Sequence, residues 1–147
     1  LALAKKDAIG GNLPPFFNPG DFTDALAIIF EPKKVQYDVP GKWGPRTHVT
    51  AQISVFKNEP QLEEGRPVVQ TVTINTKSIA DELDDQFKTD KSAAVIATVK
   101  PYKPKGGGRD TFVMRQPAEG YYDLAAAYYE GREKALAKAI DDAPDFD

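Results

Sequence analysis

From Thr47 to Phe56 the side chains alternate. Val49, Ala51, Ile53 and Val55 are apolar, while His48, Thr50, Gln52 and Ser54 are polar. A period of two sustained over this length suits a β-strand with one buried face and defeats a helix, which would spread the apolar groups around its circumference. The chain must therefore build a sheet with one face turned to a core.

Other segments fall into place around that strand. Asp24 to Phe30 carries the apolar run Ala-Leu-Ala-Ile-Ile-Phe, which Glu31-Pro32 is expected to end and Val35 to Val39 to resume. Asp38 to Arg46 holds two Pro and two Gly and reads as a loop. A polar stretch, Asn58 to Arg66, precedes a third strand over Val68 to Asn75, with Val72 and Ile74 inward. Ser78 is expected to cap a short helix that ends near Lys88, with Asp81 and Glu82 near its N-terminus and Ile79, Leu83 and Phe87 on one face. Ala93 to Val99 and Thr111 to Arg115 are the fourth and fifth strands, joined by the loop Pro101 to Arg109 with its three consecutive glycines. After Pro117, the Ala-rich stretch Glu119 to Ile140 predicts a helix, with Tyr121, Leu124, Ala125 and Tyr128 on one stripe and Tyr122, Tyr129 and Leu136 beside it. Gly131 weakens its middle by about 1 kcal/mol relative to Ala.

Five strands with a helix between the third and fourth is the order of an OB-fold, a small Greek-key barrel. An SH3-like barrel or a plain β-sandwich accepts five strands but expects no helix at that point. The expected organisation is an arm over 1–22, rich in Pro, Gly and Phe, then the OB-fold domain over 23–116, a C-terminal helix over 117–140 and an acidic tail over 141–147. A chain of 147 residues fits one such domain. Phe16 and Phe17 read as anchors holding the arm on its own body or on a neighbouring chain.

The net charge of −3 argues against nucleic acid until it is divided along the chain. Residues 1–30 sum to −1, residues 31–115 to +3 and residues 116–147 to −5, so a mildly basic body carries an acidic end. In an OB-fold, ligands lie across strands 2 and 3, between the loop joining strands 1 and 2 and the loop joining strands 4 and 5. The first loop offers Lys42, Trp43 and Arg46; the second offers Lys100, Tyr102, Lys103, Lys105 and Arg109. Cations interleaved with rings suit a single strand, because phosphates need neutralising and unstacked bases gain roughly 1 to 3 kcal/mol on each aromatic platform. Trp43 and Tyr102, together with Phe56 at the end of strand 2, are the expected stacking residues.

Several chemistries are disfavoured. There is no cysteine and one histidine, His48, so neither a thiolate zinc site nor a Ser-His-Asp set can be assembled, and no cofactor is expected. Asp81, Glu82, Asp84 and Asp85 read as a solvated helix surface. The triple glycine precedes a strand and lacks the Gly-Lys-Ser/Thr of a phosphate-binding P-loop. An enzyme is therefore the weakest reading. No apolar run approaches the ~18 to 20 residues of a membrane span, and the opening residues contain no signal-peptide core, which predicts a cytosolic protein.

The arm with its paired Phe residues, the segment Ala27-Ile28-Ile29-Phe30-Glu31-Pro32-Lys33, the strand ending Val55-Phe56-Lys57 and the acidic tail together resemble the single-stranded DNA-binding proteins of bacteriophages, of the kind carried by phages of actinobacteria. The tail also resembles those by which replisome proteins dock partners: Asp141, Asp142, Pro144, Asp145 and Phe146 match in kind, although Asp147 follows the ring. The resemblance implies a non-catalytic oligomer in the infected bacterial cytoplasm. It would coat single-stranded DNA during phage replication or recombination and recruit replication or recombination proteins through Asp141, Asp142, Asp145 and Phe146. The alternative is a phage protein-interaction module, such as an assembly factor or host-takeover adaptor, on the same OB-like barrel.

Overall fold

The computed structural model describes residues 14–42, 44–108 and 110–142. It is mainly β: five antiparallel strands form a curled half-barrel accompanied by helices. A 3-10 turn at Pro19–Phe22 precedes β1 (Ala27–Val39) and β2 (Arg46–Phe56). Helix α1 (Glu59–Glu64), β3 (Val68–Ile74), helix α2 (Lys77–Thr89), β4 (Val95–Tyr102), β5 (Thr111–Arg115) and helix α3 (Glu119–Asp141) follow. The sheet order is β3-β2-β1-β4-β5. Among the described residues no ladder joins β3 to β5, so these two strands form the edges of the sheet. No helix among the described residues is long and apolar enough to cross a membrane.

The alternation in β2 buries as its pattern requires. Val49, Ala51, Ile53 and Val55 lie in a core with Ile28 and Phe30 of β1, Val72 and Ile74 of β3, and Val99 of β4. Helix α2 covers this inner face with Ile79, Ala80 and Leu83, and Phe17 of the arm enters from the side, stacked on Phe22 at 4.7 Å. A second, smaller core lies on the outer face. There Ala125, Tyr121, Tyr128 and Tyr129 of α3 pack on Ala27, Ile29, Phe56 and Leu62.

Several local expectations are corrected. β1 does not stop at Glu31-Pro32. β4 begins at Val95, opposite Phe30, so the next stretch of β1 is laddered to β2 alone, and a register shift between Pro32 and Lys34 absorbs the missing N–H of proline. The polar stretch after β2 is not all loop. Asn58 Oδ1 accepts the Gln61 amide at 2.9 Å to start α1, and Gly65, in the left-handed region at φ 64°, ends it. Ser78 caps nothing. Thr76 holds the N-cap position of α2, and the Ser78 hydroxyl donates to the Phe112 carbonyl of β5 instead. β4 starts two residues later than expected and runs on to Tyr102, and α3 takes in Asp141, the first residue assigned to the tail.

Candidate nucleic-acid interface

Side chains of directly paired residues share a face of the sheet. On the outer face this gives the rows Glu31, Gln52 and Thr71, then Lys34, Thr50 and Thr73, then Gln36 and His48. Helix α3 covers the neighbouring rows, Ile29 with Ser54 and Ala27 with Phe56, and reaches Glu31 through Arg132, but among the described residues no helix is packed over the rest of these rows. Lys34, Gln36 and Thr71 are exposed, and Thr50, Gln52 and His48 are half-buried.

An aromatic platform stands at this surface. The Thr73 amide donates to the Pro15 carbonyl, and the Phe17 amide donates to the Thr73 carbonyl, each at 2.8 Å, so the arm runs as a short parallel strand beside β3. Successive side chains of an extended segment point to opposite faces. Phe17 therefore enters the core and Phe16 is turned outward, 60% exposed, with its ring 5.6 Å from that of His48 and perpendicular to it. A cleft of about 420 Å³ opens beside this pair, with Lys42, Arg46 and Asn75 also in its walls. Arg46 is fixed there by donating from Nη1 to the Asn75 carbonyl at 3.1 Å. It also forms part of a second cleft of about 320 Å³ with Asp38, Lys77 and Asp81.

The border with α3 is electrostatically closed. Glu31, almost fully buried, accepts two bonds from Arg132, at 2.7 and 3.0 Å, and one of 3.4 Å from Gln52 Nε2. Hydrogen bonding to Glu31 raises the Arg132 guanidinium above its ordinary value, and the two bonds hold the pair side by side. The Glu31 carboxylate, at the border of the open rows, is thereby paired with Arg132.

The residues of the second loop lie elsewhere. β4 runs antiparallel to β1, so the segment after Tyr102 sits at the opposite end of the sheet from the segment after Val39. Lys100 Nζ donates to the Thr23 carbonyl at 2.9 Å, while Tyr102, Lys103 and Lys105 are exposed. Gly106, Gly107 and Gly108 have φ of 85°, 87° and 133°, which explains the glycine run: side chains are strained in those conformations. The structure thus does not gather the two cationic groups, since β1, whose start lies beside β4 and whose end leads into the first group, runs about 43 Å at ~3.3 Å per residue. Phe56 is a correction: it is 0% exposed, edge-on to Tyr128 at 5.5 Å under α3, and no base can reach it. Trp43, Arg109, Asp145 and Phe146 lie outside the described residues, and Asp141 and Asp142 form the end of α3 and its C-cap.

Phe16, Lys34, Gln36 and Gln52 belong to the surface and were missed as site residues. The signal for Phe16 was present: two adjacent Phe in an extended arm cannot both face one core. Among the described residues no cluster of His, Asp or Glu is arranged to hold a metal ion. Set against protein-family models, curated proteins and solved structures, the chain finds no match.

Proposed function

We propose that this chain is an OB-fold protein that binds single-stranded DNA, without catalysis, across the outer face of β1, β2 and β3. The observation that carries this reading is the exposed Phe16 ring, held against His48 in a cleft that Lys42 and Arg46 share. A ring on a surface row flanked by cations is what an unstacked base and its phosphates require, and a duplex, whose bases are already stacked, gains nothing from it. The sheet order and the position of α2 between β3 and β4 support the OB reading of the half-barrel. The tail residues Asp141, Asp142, Asp145 and Phe146 would recruit replication or recombination proteins, in line with the resemblance to phage single-stranded DNA-binding proteins. Exposed Tyr102, Lys103 and Lys105 would contact a strand long enough to reach the far end of the sheet.

Fluorescence anisotropy with labelled oligo-dT, and with duplex of the same length, tests this. The unmodified chain should prefer the single strand. Phe16→Ala should weaken binding about 5- to 100-fold, the loss of one stack, without changing the melting temperature by more than a degree or two. Equal affinity for duplex, or an unaffected Phe16→Ala variant, would overturn the assignment of this face.

A further inference from the structure

β3 is an edge strand without the usual guards. From Val68 to Thr76 it carries no charged residue, and Val68 and Val69 are 54% and 48% exposed. Charges, proline or a covering element normally protect such an edge from pairing with foreign strands. The arm guards its end at Thr73, where both the N–H and the C=O are bonded to the arm and the Thr73 hydroxyl donates to the Pro14 carbonyl at 3.0 Å. By the period of two, Thr71 and Val69 turn their amide and carbonyl groups to the same side. Beside them lies a cavity of about 250 Å³ lined by Asp21, Phe22, Val55, Lys57, Val68 and Gln70.

The chain outside the described residues meets this edge at one point. Residues 1–13 join the structure at Pro14, beside Thr73, and the bridge between Phe16 and Thr73 is parallel. Following the chain backwards from Phe16 in that direction leads along β3 towards Val68. We propose that the edge from Val68 to Thr71 is the docking site for the segment Gly11 to Leu13 of the same chain, added as a parallel continuation of the arm. The register set by Phe16 and Thr73 brings Leu13 opposite Gln70. In that docked arrangement the Thr71 amide would donate to the Leu13 carbonyl and the Leu13 amide to the Val69 carbonyl. Gln70 belongs to the same face as Val72 and Ile74, so a docked Leu13 would place its side chain in the cavity beside Phe22 and Val68. A second copy's β3 fits less well, because the arm already occupies Thr73 and leaves only a few residues for an antiparallel partner.

The chain has no cysteine, which makes a cross-link clean to read. The double variant Leu13→Cys, Gln70→Cys, oxidised mildly at low concentration, should form an intrachain disulfide of unchanged mass class on a non-reducing gel. An interchain disulfide would mean exchange between copies, and no disulfide would mean an empty edge or another occupant; either overturns the proposal. Hydrogen exchange provides a second readout if the double variant folds poorly. The Thr71 amide should exchange at least tenfold faster in Leu13→Asp than in the unmodified chain, with the Thr73 amide unchanged. Equal Thr71 rates in the two chains would refute the docking whatever the protein does with DNA.

Discussion

At the scale of single residues, the neighbours Phe16 and Phe17 and the strand-end Phe56 show how little residue type says about role. All three are Phe beside a sheet, yet Phe17 and Phe56 are buried and Phe16 is open to solvent. Truncating Phe56 leaves a hole between β2 and α3, so Phe56→Ala should cost about 3 to 5 kcal/mol of stability. Its affinity for single strands, corrected for the folded fraction, should stay within twofold of the unmodified chain. Urea unfolding followed by titration of the folded protein measures both. The sequence misassigned Phe56 because its place in the β2 alternation, on the face shared by His48, Thr50, Gln52 and Ser54, marks it as outward, and outward was equated with exposed. Only the packing of a helix far along the chain makes an outward residue buried, and no local pattern reports that.

At the scale of elements, the strongly periodic ones were legible. β2, β3, β5 and α3 lie within a residue or so of their expected bounds, because each has an apolar period or a Pro or Gly boundary that settles it. The elements that escaped depend on partners. α1 is short and held by Leu62 packing under α3, and β1 passes through Pro32 because one side of it has no ladder to break. A further tie between elements joins β1 to α2. The Tyr37 hydroxyl donates to Asp84 Oδ1 at 2.6 Å, and Lys88 reaches the same carboxylate at 3.1 Å. The hydrogen bond to Asp84 raises the Tyr37 phenol above its ordinary value, so the folded state favours the protonated ring. That contribution is complete below about pH 10, the ordinary phenol value, and is lost as pH rises through the raised one. Thermal unfolding between pH 8 and pH 11.5 should therefore show a steeper alkaline fall for the unmodified chain than for Tyr37→Phe. Parallel curves would remove the tie from the energetics.

For the whole molecule, charge placement sets the expected behaviour. If a single strand binds as proposed, Lys34, Lys42 and Arg46 would make about three phosphate contacts there, so log K should fall with log salt at a slope near −2. A slope near −1 would mean that this end of the sheet is not the electrostatic site. By its opposite charge the acidic end is expected to compete for the same cations when no DNA is bound. Deleting 141–147 should tighten oligo-dT binding at low salt and leave it unchanged at high salt, as titrations of the two chains at two salt concentrations would show. Past Arg132, every described residue of α3 is exposed, Leu136 and Ile140 included.

The position of Phe17 also has a consequence in time. Phe17 leaves the ribosome well before the backbone that holds the arm, which is at Thr73, 59 positions after Pro14. Until β3 has been synthesised, the arm has no strand to lie against, and the side of the core it seals stays open. Synthesis of this chain thus ends one vulnerable interval when β3 emerges, and a pause placed before that point would lengthen exposure of the growing chain to chaperones and proteases.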